Sequence, residues 1–260
     1  MSNERGESAG GGVQSVDRAI SVLEILAQRG EAGVSEVAAD IGVHKSTAFR
    51  LLAALEDREL VEQTQDRGKY RLGFGILRLA SAVPGQLDVT HQARALCEQL
   101  ASQVGETVNI AVRRSHFVVN IDQARGPSAV AAHNWVGELT PLHATSSGKV
   151  LLAYMAPEER RKMLATAGLA RLTPHTITSQ RELEAQIEAA ARDGYASSVE
   201  ELEEGLNAVA APVRDHTGGV IAALSVSGPV YRFTEDRMRE VTPDVVAAAA
   251  AISQRMGHLD

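Results

Sequence analysis

The chain is poor in the features that would place it outside a reducing compartment or in a lipid bilayer. Its 260 residues include a single cysteine, Cys97, which excludes an intrachain disulfide and leads us to expect a cytoplasmic protein. No apolar run approaches the ~20 residues of a membrane span, and no signal-peptide core follows Met1. A basic excess is missing too. The net charge of -7 excludes a histone-like, sequence-blind binder held to nucleic acid by a global positive field. No internal repeat is visible. The opening MSNERGESAGGG, residues 1–12, is polar and Gly-rich and is expected to be a disordered tail.

What is present starts with residues 34–55, VSEVAADIGVHKSTAFRLLAAL, which read as two short helices around a turn. Gly42 stands where a tight turn needs a residue free of Cβ strain. Ala38 is small where the helices must approach, and Val37 and Ile41 add apolar contacts. Val43, Ala48, Leu51 and Leu55 fall on one face of the second helix and are expected to close the same core. The other face carries His44, Lys45, Ser46, Thr47 and Arg50. An apolar scaffold side opposite a row of donors is the division a DNA recognition helix requires.

Amphipathic helix pairs also occur in proteins that never touch DNA, so the flanking sequence decides. Upstream, Val16, Ala19, Ile20, Leu23, Ile25, Leu26 and Ala27 mark an amphipathic first helix. Downstream, residues 60–72, LVEQTQDRGKYRL, hold two strand-like runs around a turn with Asp66 and Gly68 and the cations Arg67, Lys69 and Arg71. A hairpin directly after such a helix pair forms a wing that reaches phosphate or the minor groove. Residues 13–73 are therefore expected to be a winged helix-turn-helix that binds double-stranded DNA. The expected contacts are His44, Lys45, Ser46, Thr47, Arg50, Arg67 and Lys69. So small a cation cluster calls for two copies, and a homodimer or dimer of dimers is expected.

The length leaves room for a larger second domain. Residues 74–83, FGILRLASAV, are apolar with helical spacing, and Pro84-Gly85 interrupts them, so 74–85 is expected to be a linker helix. Beyond it the pattern predicts helices at 86–104, 147–155, 157–167, 182–191 and 235–256. Strands are predicted at 107–112, 117–121, 129–132, 196–199, 206–213 and 220–226. Runs of strands flanked by helices indicate an α+β domain with an antiparallel sheet over 86–260.

From about Val13 onward the chain resembles the IclR-type transcriptional regulators. The first domain carries the resemblance in VQSVDRAISVLEILA, KSTAFRLLAAL and YRLG. The second carries it in GETV, LTPLHATSSGKVLLAY, GYASSVEELEEGLNAVAAPVRD and ALSVSGP. In the most specific stretch Gly194, Ser198, Glu201, Ala208, Val209, Ala210, Val213 and Asp215 satisfy the family pattern, whereas Arg214 departs from it and is expected to be surface variation. The resemblance implies a GAF-like second domain that binds a small-molecule effector and oligomerises. Carried over by motif, the effector residues are Ser146, Ser147, Ser198, Leu206, Ala208, Ser225 and Ser227. Ala129, Ala132 and Thr140 match loop positions often bulkier in the family, which implies a roomier cavity unless Trp135 fills it. Ser198 stands where Asp is common and leaves the pocket less negative.

The residues themselves fit that expectation. Ser147, Gly148 and Lys149 begin a helix, whose open N–H groups favour an anion. Ser225 and Ser227, two apart on a strand, face the same side. A donor-rich pocket for a small carboxylate is expected. In the plainer alternative Ser146 or Ser147 is only a helix cap and the strand serines face solvent.

Other chemistries fit less well. Ser146-Ser147-Gly148-Lys149 matches a Ser-x-x-Lys nucleophile pattern, but the Ser-Asp-Asn and Lys-Thr-Gly partners of that pattern are missing. Pro141 argues against a strand feeding a nucleophile elbow, and no phosphate loop surrounds Gly148-Lys149. His133 and His143 lack metal-ligand spacing, and His143 reads as a structural histidine. Glu200, Glu201, Glu203 and Glu204 read as a charged face or loop. No metal, cofactor or catalytic role is expected. The sequence predicts a repressor whose operator binding is switched by an effector acting through the 74–83 helix. The alternatives are a hydrolase using Ser146 and Lys149, or a ligand-binding module without DNA function, against which the intact cations count.

Overall fold

The computed structural model describes residues 14–64, 68–81, 86–127 and 133–258. The predicted tail, Asp66, Arg67, Pro84-Gly85 and the strand expected at 129–132, with Ala129 and Ala132, lie outside the described residues. The chain divides into two compact units, Met1–Pro84 and Gly85–Asp260.

The first unit runs α1 (Gln14–Arg29), β1 (Ala32–Gly33), α2 (Val34–Asp40), α3 (Lys45–Glu56), β2 (Val61–Gln63), β3 (Lys69–Leu72) and α4 (Phe74–Ser81). Gly42 sits at φ +64° between α2 and α3, where Gly42 and Val43 N–H groups donate to Ala39 and Ala38 carbonyls. The wing is wider than a hairpin. β3 pairs antiparallel with β2 and also with β1, a two-residue strand too short to show a period in the sequence.

Two expectations about this core change. Leu52 is fully buried and Leu51 only partly so. The two lie on opposite flanks of the Ala48–Leu55 row, so helical spacing alone cannot choose between them. In α1, Val22 and Leu26 enter the core while Val16 and Ile20 stay half exposed. The apolar face of α1 is broader than its short neighbours cover.

The second unit opens with α5 (Gln86–Val104), then β4 (Thr107–Arg114), β5 (Phe117–Ala124) and β6 (Leu139–Pro141). A single 3-10 turn, Leu142–Ala144, leads to α6 (Ser146–Ala153), α7 (Pro157–Ala167) and α8 (Gln180–Asp193). β7 (Ala196–Val199), β8 (Leu206–Arg214), β9 (Val220–Pro229) and α9 (Glu235–Arg255) complete it. The strands form one antiparallel sheet in the order β6-β5-β4-β9-β8-β7.

Strand alternation sends successive side chains to opposite faces, and each face has its own cover. Val108, Ile110, Val209, Leu224 and Val226 meet α5 and α9 in one apolar core. Ala111, Ala196, Ala210 and Ala223 point the other way, towards Val150, Leu152, Leu183 and Ile187 of α6 and α8. Small residues on that second face let α6 lie close to the sheet. Gly148 lets the first turn of α6 fold back on the preceding 3-10 turn, because a Cβ there would stand 2.1 Å from the Leu142 carbonyl oxygen. No described helix is long and apolar enough to cross a membrane.

Candidate functional site

The second sheet face is apolar only in part. Where the N-terminus of α6 crosses β4, β9 and β8, alternation brings polar side chains to the surface of the sheet. Asn109 pairs across β4–β9 with Ser225, Ser227 pairs across β9–β8 with Ala208, and Ala208 pairs with Ser198 of β7. Together with the α6 start they enclose about 490 Å³ of space between walls, open solvent at the mouth included.

The predicted effector residues among those described all line this cavity. Ser146 and Ser147 come from the start of α6, Ser198, Ala208, Ser225 and Ser227 from the sheet, and Thr140 and Leu206 from β6 and β8. Every one of these serines, and Thr140, is buried, so the strand serines do not face solvent. Nor are Ser146 and Ser147 caps. Thr145 is the N-cap, and its Oγ1 accepts from Gly148 N at 3.0 Å. Lys149 N–H is taken by the Thr145 carbonyl at 3.0 Å. The N–H groups of Ser146 and Ser147 remain open at the positive end of the α6 dipole. Ser198 Oγ donates to the Ala144 carbonyl at 3.1 Å and so ties β7 to the loop that starts α6.

Further lining residues were not anticipated. Asn109, Val118, Asn120 and Leu202 join the wall, as does Trp135, which the sequence had offered as a filler. Asn109 Nδ2 donates to Ser227 Oγ at 3.4 Å, while its Oδ1 is buried without a partner. Such an orphan acceptor is costly unless a ligand or water supplies a donor. The signal was present: Asn109 and Asn120 each interrupt an apolar strand, in TVNIAV and FVVNID. Leu202 carried none. Among the described residues the lining contains no charged side chain.

Two charged residues sit behind the wall and correct the sequence reading. Lys149 is fully buried, and its Nζ donates to Gln186 Oε1 at 2.6 Å, the Ser197 carbonyl at 3.0 Å and Glu201 Oε1 at 2.5 Å. All three donors are thus spent away from Ser146, so the Ser-x-x-Lys pairing does not form. The acidic run forms the loop between β7 and β8, one of its two expected readings, but within it Glu201 is buried, unlike exposed Glu203 and Glu204. Burial pulls the Lys149 ammonium below its ordinary range and pushes the Glu201 carboxyl above its own, each opposed by the other's charge. His143 is buried with Nε2 2.9 Å from the Ala170 carbonyl, a structural role as expected. Arg214 is not simple surface variation, because its guanidinium stacks 4.4 Å from the Tyr154 ring centroid.

The first unit offers a different kind of site. His44 is the N-cap of α3, with Nδ1 2.9 Å from Ser46 Oγ and 3.4 Å from Ser46 N. Lys45, Ser46 and Arg50 are exposed on α3, whereas Thr47 is partly buried. No acidic residue occurs in the first turn of α3. The described wing cations are already engaged: Lys69 Nζ meets Glu31 at 2.6 Å and Arg71 meets Glu62 at 2.6 Å. Such exposed pairs contribute little.

Comparison with known proteins follows this division. Residues 15–65 match the IclR helix-turn-helix domain, and residues 81–254 match the family described as bacterial transcriptional regulator IclR C-terminal. The HTH-type transcriptional repressor AllR of Salmonella typhimurium is 35% identical over 247 residues, 95% of this chain and 91% of that protein. The crystal structure of the Thermotoga maritima IclR superposes with a TM-score of 0.78 at 28% identity, covering 95% of this chain and all of that one. An IclR homologue from Microbacterium hydrocarbonoxydans, crystallised with 4-hydroxybenzoate, gives 0.73 at 27% identity over 94% of this chain and 98% of its own. The winged helix, the curled antiparallel sheet and these matches along nearly the whole length agree. The chain belongs to the IclR family of helix-turn-helix transcriptional regulators.

Proposed function

We propose that this regulator is a repressor whose hold on a two-fold operator is switched by a small monocarboxylate bound in the second unit. The observation that carries the reading is the cavity itself: buried hydroxyls and two open N–H groups at a helix start, with no charged side chain among the described residues. Neutral donors and a helix dipole of about half a charge stabilise one negative charge, and leave a second one uncompensated. Asn109 Oδ1 then asks for a donor elsewhere on the ligand, such as a hydroxyl. Two findings support this class: the AllR relative is a repressor, and the Microbacterium homologue carries 4-hydroxybenzoate.

In the first unit the reading assigns Ser46, Thr47 and Arg50 to bases and phosphates, with His44 and Lys45 at the helix start and Lys69 from the wing. Residues 13–73 serve DNA, 74–85 link, and 86–260 bind effector and assemble a dimer or dimer of dimers in the cytoplasm. Recognition helices then enter successive major grooves ~34 Å apart or at multiples of that spacing. Effector binding changes that spacing through the link.

Trp135, the one tryptophan in the chain, lines the cavity and reports on it. Its fluorescence, titrated with a panel of small carboxylates, is expected to change saturably with at least one. The Ser225→Ala, Ser227→Ala double variant should lose that response. The same compound should shift retention of upstream DNA in a mobility assay. A carboxylate that binds but leaves DNA affinity unchanged would break the switch, and absence of any preferred DNA would break the regulator reading.

A further inference from the structure

The DNA-facing side of α3 contains a residue that no polar argument selects. Phe49 is 54% exposed, and it neither packs into the core of its unit nor meets another aromatic ring among the described residues. It lies on the stripe Ser46, Phe49, Arg50 and Ala53, spaced i, i+3, i+4 and i+7, with Lys45 one turn before it. Ala48 and Leu52, both fully buried, anchor the opposite side of the helix and fix the direction in which this stripe faces. The other large exposed apolar residues of the unit, Val16, Ile20, Phe74, Leu77 and Leu79, belong to α1 and α4. Phe49 stands apart from them, among hydroxyl and cationic side chains.

A bulky ring held in water amid donors and cations has a natural counterpart in the major groove. Of the four bases only thymine presents a C5-methyl group there, and apolar side chains read it by contact. The flanking Lys45 and Arg50 complement the phosphates on either side of such a methyl. We propose that Phe49 is a specificity-determining residue that packs against thymine methyl groups of the operator. This rests on the DNA-binding reading above and adds a residue to it. The polar residues of the stripe position α3 and read hydrogen-bonding edges, while Phe49 discriminates thymine from cytosine at its own step. The minor groove carries no methyl, so the contact also fixes the groove that α3 enters.

The test begins with a duplex selected by the full-length protein from a random pool. Each thymine is then replaced singly by deoxyuridine, which removes one methyl and leaves base pairing intact. At one or two positions the replacement should weaken wild-type binding about fourfold, the loss expected for one buried methyl. Phe49→Ala should bind the thymine duplex about tenfold more weakly and be indifferent to uracil at those positions. Phe49→Leu, which keeps an apolar contact, should retain most of the uracil sensitivity. Melting and gel-filtration behaviour of both variants should match the wild type. A wild type indifferent to every uracil overturns the proposal, as does a Phe49→Ala variant that keeps the uracil penalty or loses affinity through failed assembly. If the wild type selects a sequence in those cases, the regulator reading survives; if it selects none, both fall.

Discussion

The two units put their chemistry in opposite places. In the first, the candidate contacts run almost consecutively along one helix, residues 44–50, and stand on the surface. In the second, the cavity is assembled from residues as far apart as Asn109 and Ser227, which are hydrogen-bonded across the sheet and buried. A DNA duplex is large, stiff and charged, so its reader needs only a presented face on a small scaffold. A small ligand must be enclosed, and enclosure buries polar groups that each need a partner. Surface changes in the first unit should therefore alter function without altering stability, whereas polar changes in the second should alter both.

The harshest way to test that contrast is Lys149. It is fully buried against Glu201, and burial already works against both charges. Lys149→Met leaves Glu201 as an unpaired buried carboxylate and should destabilise the second unit by about 3–5 kcal/mol in urea denaturation. Pairing it with Glu201→Leu should recover most of the loss, because removing both charges avoids their desolvation. A cost below about 1 kcal/mol for the single variant would mean that the region behind the cavity is wetter than its burial indicates.

The scaffold of the first unit offers the next largest effect. Leu52→Ala should cost about 2–5 kcal/mol in the melting of the helix-turn-helix, and Leu51→Ala distinctly less. Each unit has its own core, so the Trp135 response to ligand should survive Leu52→Ala. Equal costs at the two leucines would return the core to the face that helical spacing left undecided.

The same contrast explains what could be read in the sequence. The helix-turn-helix was legible because its signals are local: a glycine turn, an apolar period and a polar face within 22 residues. What escaped there was β1, two residues long, and the choice between Leu51 and Leu52, which only the packing partners settle. Most elements of the second unit were legible from period and breakers, including α5 and α7. The cavity was not legible from local pattern. Its serines came from motif resemblance, and Asn109 and Asn120 were overlooked although they break apolar strands. The loop around Glu201 was legible, but its burial was not, because its partner Lys149 lies 52 positions earlier. Arg214 was misread for the same reason, since Tyr154 reaches it only through the fold.

Arg50→Ala sharpens the comparison from the functional side. Arg50 is exposed on α3, so its removal should leave the melting curve unchanged while weakening binding to a selected duplex by about 1–3 kcal/mol if it reads a base. An equal loss on unrelated DNA would make it a phosphate contact. A shifted melting curve would show that the recognition face also serves stability, against the division drawn above.

The smallest effect at neutral pH belongs to Cys97, and it measures how closed the second unit is. Cys97 lies on the core-facing side of α5, and burial, with Asp122 adding to it, pushes the thiol from 9.0 up to about 12. Only the thiolate attacks disulfide reagents, so a native protein at pH 8 should react with a thiol probe at the rate of unfolding, and briskly in denaturant. The raised value also has a sign. The native state holds the proton more tightly than the unfolded chain, so this contribution to stability is whole below pH 9 and is lost as pH rises towards 12. Replacing Cys97 by alanine should flatten that alkaline decline while changing little in DNA binding. Rapid labelling of the folded protein would instead show that the α5 side of the sheet opens locally, and the enclosed unit would then be closed only around its cavity.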